Sequence, residues 1–237
     1  MTVPTFDFDR ARRATPARLD VGRAGARPRT ATWLAFQRDH AAARDAVWSS
    51  WSGAFVDRLR DLGFLVVMSA APDRLAYINQ PPLGRRLAAG EVERIRAQAS
   101  TASDIQVVLS DGLSAQAAEA HFARLYPTLS RHLAQLGTLG APVAVRNGRV
   151  AVADVVAAAV GAQLVVHLIG ERPGLGSADS LGCYLTFRPG PDTTDADRKC
   201  VSNIRPQGLN PDEAGATIAG ICQRVLERGS SATDLAL

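Results

Sequence analysis

The sequence predicts an α/β protein, an open sheet with helices packed against it, and three observations lead there. Residues 105–109 (IQVVL) and 164–169 (LVVHLI) are short, largely β-branched apolar runs of the length of buried strands. Each stops abruptly in a small polar or glycine-rich loop: Ser110-Asp111-Gly112-Leu113-Ser114 after the first, Gly170-Glu171-Arg172-Pro173-Gly174-Leu175-Gly176 after the second. Stretches with apolar residues at helical spacing alternate with the strands, which is the order of α/β units.

Taken in order, residues 6–30 are rich in Arg, Ala, Gly and Pro, and Gly22-Arg23-Ala24-Gly25 with Pro28 reads as a defined loop lying on a partner protein. A basic nucleic-acid arm is the rival reading, weakened because no aromatic residue is interleaved for base stacking. Thr30 is placed as the N-cap of a helix running to about Val47, with Trp33, Leu34, Phe36, His40 and Ala41 at helical spacing. A second helix, 54–62, stops at Gly63. Residues 64–68 follow as a strand, 70–82 as an irregular passage and 84–99 as a helix with a charged outer face. Ser114 is placed as N-cap of an Ala-rich helix that bends at Pro127, with His121 and His132 on its surface. A strand at 142–145, a tight Asn147-Gly148 turn and a helix at 154–160 lead into the central strand, where His167 reads as a satisfied core histidine. Residues 184–187 alternate like an edge or hairpin strand, 192–204 are too polar for core, and a last helix starts at Pro211 or Asp212 and frays after Arg228.

Composition bounds the function without naming it. Hydrophobic residues make up 46% and charged residues 21% of the 237, ordinary globular usage. A net charge of +4 suits an anionic partner but selects none. Cys183, Cys200 and Cys222 have neither CxxC nor zinc spacing, and their odd number argues against a disulfide framework, which points to the cytoplasm. No N-terminal apolar segment reads as an export signal, and the apolar tract 150–170 is too interrupted to span a membrane.

Loops at the carboxyl ends of strands are where open α/β sheets bind ligands, which puts Glu171 and Arg172 at the mouth of a site. The Gly174-Leu175-Gly176 stretch breaks the dinucleotide fingerprint, and Walker A, HExxH and GxSxG are absent. No catalytic residue and no metal ligand is assigned. Cys200, beside Arg198 and Lys199, reads either as a thiol of lowered pKa or as a packing cysteine. A stand-alone nucleotide- or phosphate-binding protein using the two loops therefore stays open on these grounds.

The segments resemble the light chain of ethanolamine ammonia-lyase. The likeness is carried by Gly22-Arg23-Ala24-Gly25 with Arg27-Pro28-Arg29-Thr30, by Gly84-Arg85-Arg86-Leu87, and by Gln106-Val107-Val108 with Ser110-Asp111-Gly112-Leu113-Ser114. Arg149-Val150, the Gly170 to Gly176 loop, and Ala196-Asp197-Arg198 with Cys200 and Ser202-Asn203-Ile204 complete it, in family order. The resemblance implies a Rossmann-like, mostly parallel sheet flanked by helices, with residues 1–50 an arm and helix on the large subunit and 51–237 the cobalamin-binding domain. It implies a share in an adenosylcobalamin site, with cofactor contacts at Val150, Glu171 and Cys200, all in loops or at element ends. It further implies a large (heavy) subunit that holds substrate and converts ethanolamine to acetaldehyde and ammonia by radical chemistry. The enzyme is expected in the cytoplasm, free or inside a microcompartment, with no nucleic acid and no membrane as partner.

Overall fold

The computed structural model describes residues 7–15, 17–98 and 103–232. After a short helix α1 (Phe8–Ala14), strands β1 (Arg23–Ala24) and β2 (Arg27–Pro28) pair as a small hairpin, and helix α2 (Thr30–Trp48) follows. Arg29, not Thr30, is the residue before its first turn, and only Ala46 of this helix is buried. The arm is tied down by the Arg18–Asp39 ion pair and by Arg18 donating to the carbonyl of Leu175, in the glycine-rich loop.

Helix α3 (Gly53–Asp61) is capped by Ser52, whose hydroxyl accepts from the Phe55 amide, and ends against Gly63 in the left-handed conformation. Strand β3 (Leu65–Met68) leads into a stretch expected to be irregular, which contains helix α4 (Arg74–Asn79), capped by Asp73. The helix expected over 84–99 is shorter. Pro81–Arg85 form a 3-10 turn, Leu87 bridges to Ser69, and helix α5 spans Glu91–Gln98 after Gly90 at positive φ; Ala99 lies outside the described residues. Gly90, in the left-handed conformation, breaks the helical run that the charge pattern implied.

Strand β4 (Ile105–Ser110), helix α6 (Ala115–Leu133), strand β5 (Val143–Arg146), helix α7 (Val152–Val160) and strand β6 (Leu164–Gly170) complete the parallel part. Strands β7 (Leu181–Phe187) and β8 (Arg198–Ile204) then run antiparallel, and helix α8 (Pro211–Arg228) ends the fold. The sheet order is β3-β5-β4-β6-β7-β8, parallel up to β6. β7 is thus interior, and the edge is β8, formed by the polar stretch that had been expected to lack a core role. Its Arg198 and Ile204 are buried.

Two cores flank the sheet. On one face α3, α6 and α8 bury Phe55, Phe64, Phe122, Leu125, Leu168 and Ile218, with Phe64, Phe122 and Tyr126 in ring contact. On the other, Val152, Val156 and Val160 of α7 and Ile95 of α5 cover Val67, Val108, Val143, Val145 and Val165. The second face is covered by helix only as far as β6, because α8 packs on the opposite side of β7 and β8. The tail is not frayed directly after Arg228: the buried Ser231 hydroxyl donates to the Asp197 carbonyl and accepts from the Phe187 amide.

Candidate functional site

A cavity of about 720 Å³ opens where the carboxyl ends of β5 and β6 meet the helix-free face of β7. Its walls are Tyr77, Arg85, Arg149, Val150 and Ala151 at one end, Leu113 and Ile169 at the base, and Glu171, Arg172, Tyr184, Thr193, Thr194, Asp195 and Arg198 at the other.

The turn that presents Arg149 and Val150 is held from below. Asn147 takes positive φ, as a tight turn requires, and the buried Asp111 carboxylate accepts from the amides of Asn147 at 3.0 Å and Gly148 at 3.2 Å. Burial pushes the Asp111 carboxyl up to about 6, against the opposing pull of those amides and of Arg74. Arg74, itself buried, reaches the carbonyls of Val47 and Gly112. Behind the turn, His167 lies 3.2 Å from the Val150 carbonyl through Nδ1 and 2.8 Å from the Ser110 hydroxyl through Nε2. A carbonyl only accepts, so Nδ1 carries the proton and Ser110 donates to Nε2. Desolvation drives the imidazole pKa down to about 3, which keeps it neutral. The Val150 carbonyl is thus taken up by His167 and by the Ala153 amide, and Val150 lines the cavity.

The Ser110 to Ser114 loop does not form an open anion site. Gly112, at positive φ, packs so closely on the end of β6 that a Cβ there would lie 2.1 Å from the Gly170 carbonyl. Ser114 caps α6 as expected, accepting from the Ala117 amide, while its hydroxyl donates to the Ala178 carbonyl. His121 is buried, contrary to the surface position expected, because its Nε2 meets the Asp179 carbonyl at 2.9 Å. Gly174 and Ser177 exchange backbone bonds in a closed turn, so the 171–180 loop is an ordered arch on α6 and not a phosphate cradle.

Glu171 stands at the foot of that arch. Its Oε2 accepts from the Ser180 hydroxyl at 2.5 Å and the Asn203 amide at 3.2 Å. Among the described residues its Oε1 has no donor, and it occupies the space beside Gly182, where a Cβ would come within 2.8 Å. Beyond it, the Tyr184 hydroxyl and Cys200 thiol are hydrogen-bonded across the β7–β8 pair, with Tyr184 pushed up to about 12 chiefly by burial. Cys200 is exposed as a residue, but desolvation of its sulfur raises the thiol pKa, so the reading of an activated thiolate is not borne out. Arg198 pairs with Asp154 of α7 and with Asp195 at 3.1 Å, closing this end.

Val150 and Glu171 therefore line one cavity. Cys200 is not in its wall but touches Tyr184, which is, and it sits within β8, not in a loop or at an element end as expected. Tyr77, Tyr184 and the Asp154–Arg198 pair were missed by sequence reasoning, since nothing local marks residues that meet only through the sheet order. Among the described residues no cluster of His, Cys, Asp and Glu could hold a metal ion, and no helix is long and apolar enough to cross a membrane.

Ordered carboxylate, guanidinium and hydroxyl groups surround a surface-open cavity at the rim of an α/β sheet, the place where open α/β folds hold ligands. Residues 7–236 match the model of the family described as Ethanolamine ammonia-lyase light chain (EutC), and the chain belongs to that family. It is thus of the kind that forms the light subunit of a lyase.

Proposed function

We propose that this chain contributes one side of the adenosylcobalamin site of an ethanolamine ammonia-lyase, while a heavy chain holds ethanolamine and the catalytic residues that release acetaldehyde and ammonia. The observation that carries this reading is the single cavity joining Val150 to Glu171, with one Glu171 oxygen anchored and the other available.

The residues suit a corrinoid. Its rim of side-chain amides needs acceptors and donors, and Glu171 Oε1, Arg172 and Thr193 provide both at the cavity mouth. Val150 would supply apolar packing for the group, and Cys200 would fix the Tyr184 hydroxyl in the cavity wall. On this reading the cavity of about 720 Å³ takes one edge of the larger corrinoid, and the heavy chain covers the rest. When bound, adenosylcobalamin supplies the radical that the reaction needs, and this chain orients it and excludes water from one side. That division accounts for a site without acid-base machinery. The exposed Trp33, Leu34 and Trp48 of α2 suit the heavy chain as a docking partner for residues 1–50. Location in the cytoplasm, free or in a shelled compartment, belongs to the same reading. The stand-alone nucleotide-binding alternative has less support, because both of its loops are closed on themselves.

The test is Glu171→Ala in the assembled light and heavy chains, read as corrin absorbance retained after desalting. Loss of a charge-assisted acceptor predicts cobalamin affinity weaker by roughly tenfold or more; unchanged retention removes Glu171 from the site.

A further inference from the structure

The cavity is not uniform in charge. Its carboxylates, Glu171 and Asp195, lie at one end together with Arg172 and Arg198; Glu171 is held through Oε2 by Ser180 and Asn203, and Asp195 pairs with Arg198. The other end holds Arg85 and Arg149, and among the described residues neither is paired with a carboxylate.

Arg149 is built into place. Its amide donates to the Gly84 carbonyl at 2.7 Å, and one guanidinium nitrogen donates to the Tyr77 carbonyl at 3.0 Å. The guanidinium lies 4.5 Å from the centre of the Tyr77 ring, whose other contact is Arg74 at 4.6 Å. Its Nε is buried with no partner among the described residues. Gly84 makes the approach possible, since a Cβ there would fall 2.9 Å from the Arg149 stem. The next residue is Arg85, exposed and free of hydrogen bonds among the described residues, so the 3-10 turn sets two guanidinium groups at one end of the cavity.

We infer that Arg85 and Arg149 form a phosphodiester subsite, which orients the ligand by the one anionic group on its periphery. This rests on the corrinoid reading above: the peripheral amides of cobalamin are neutral, and its nucleotide arm carries a single phosphodiester. A planar guanidinium held by stacking is the group best suited to that anion.

The experiment compares aquacobalamin with aquacobinamide, which has the same macrocycle but lacks the nucleotide arm and its phosphate, on the assembled light and heavy chains. Arg85→Gln and Arg149→Lys are the variants, and Arg85→Gln disturbs no contact of the fold. Each is expected to weaken cobalamin binding roughly tenfold while leaving cobinamide binding within about twofold of wild type. Equal weakening of both corrinoids, or no change in cobalamin, overturns the subsite while leaving the cofactor reading intact. Failure of the wild-type complex to bind either corrinoid overturns the cofactor reading, and the subsite with it.

Discussion

His167 and Asp111 are two buried ionisable residues that hold the same turn from opposite sides, and they respond to acid in opposite directions. His167 is neutral when folded, with a pKa near 3, but takes a proton near 6.5 when unfolded. The unfolded state therefore binds more protons as pH falls below about 6.5, and stability drops by up to about 1.4 kcal/mol per pH unit from this group. Asp111 has its pKa raised from 3.8 to about 6, so the folded state binds the extra proton and stability rises as pH falls through that window. Urea unfolding of wild type, His167→Gln and Asp111→Asn between pH 4.5 and 7 separates them. Wild type should lose its advantage over His167→Gln on acidification and gain advantage over Asp111→Asn; parallel curves would mean that neither group titrates differently on folding. The satisfied core role of His167 was legible, because an imidazole inside a β-branched run must find internal partners. The burial of His121 was not, since the loop that covers it arrives from 58 residues further along the chain.

At the scale of elements, the buried parallel strands and some helix starts followed from local chemistry: β-branched runs for β4 and β6, Ser114 for α6, Pro211 for α8. Strand β8 did not, because it is an edge strand whose residues between Arg198 and Ile204 are half-buried or exposed, so it reads as polar. Helix α4 was hidden by its shortness. The α6–α8 contact depends on a small residue that no pattern singled out. A Cβ on Gly215 would lie 2.8 Å from the Leu129 amide nitrogen and 3.0 Å from the Leu125 carbonyl, in the turn that surrounds Pro127. Gly215→Val should force these helices apart and lower stability by about 1–3 kcal/mol, measured by thermal or urea unfolding. A stable Gly215→Val protein would show that the two helices can slide without cost. Because α8 covers the far face of β7 and β8, the same variant should also loosen the wall that carries Tyr184.

For the whole molecule, the proposed division of labour between two chains would account for a site-shaped cavity in a chain to which no catalytic residue was assigned. Site-shaped loops were visible from the residues, and the cofactor entered only through resemblance. The cavity itself could not be read in advance, since it depends on sheet order bringing the turn after β5, the loop after β6 and the approach to β8 together. Helix α2 has 19 residues and buries only Ala46, and on the proposed reading its exposed Trp33 and Leu34 meet the heavy chain. Trp33→Glu with Leu34→Glu should abolish co-purification with the heavy chain while leaving the isolated light chain folded by circular dichroism; undiminished co-purification would place the interface elsewhere. The central claim is that this chain holds one side of a corrinoid and needs a second subunit to close over it. Gel filtration of the light chain, the heavy chain and their mixture, each preloaded with adenosylcobalamin and followed by corrin absorbance, tests it directly. Corrin absorbance should travel with the mixed complex and not with the light chain alone. Full retention by the isolated light chain, or none by the complex, would contradict the account.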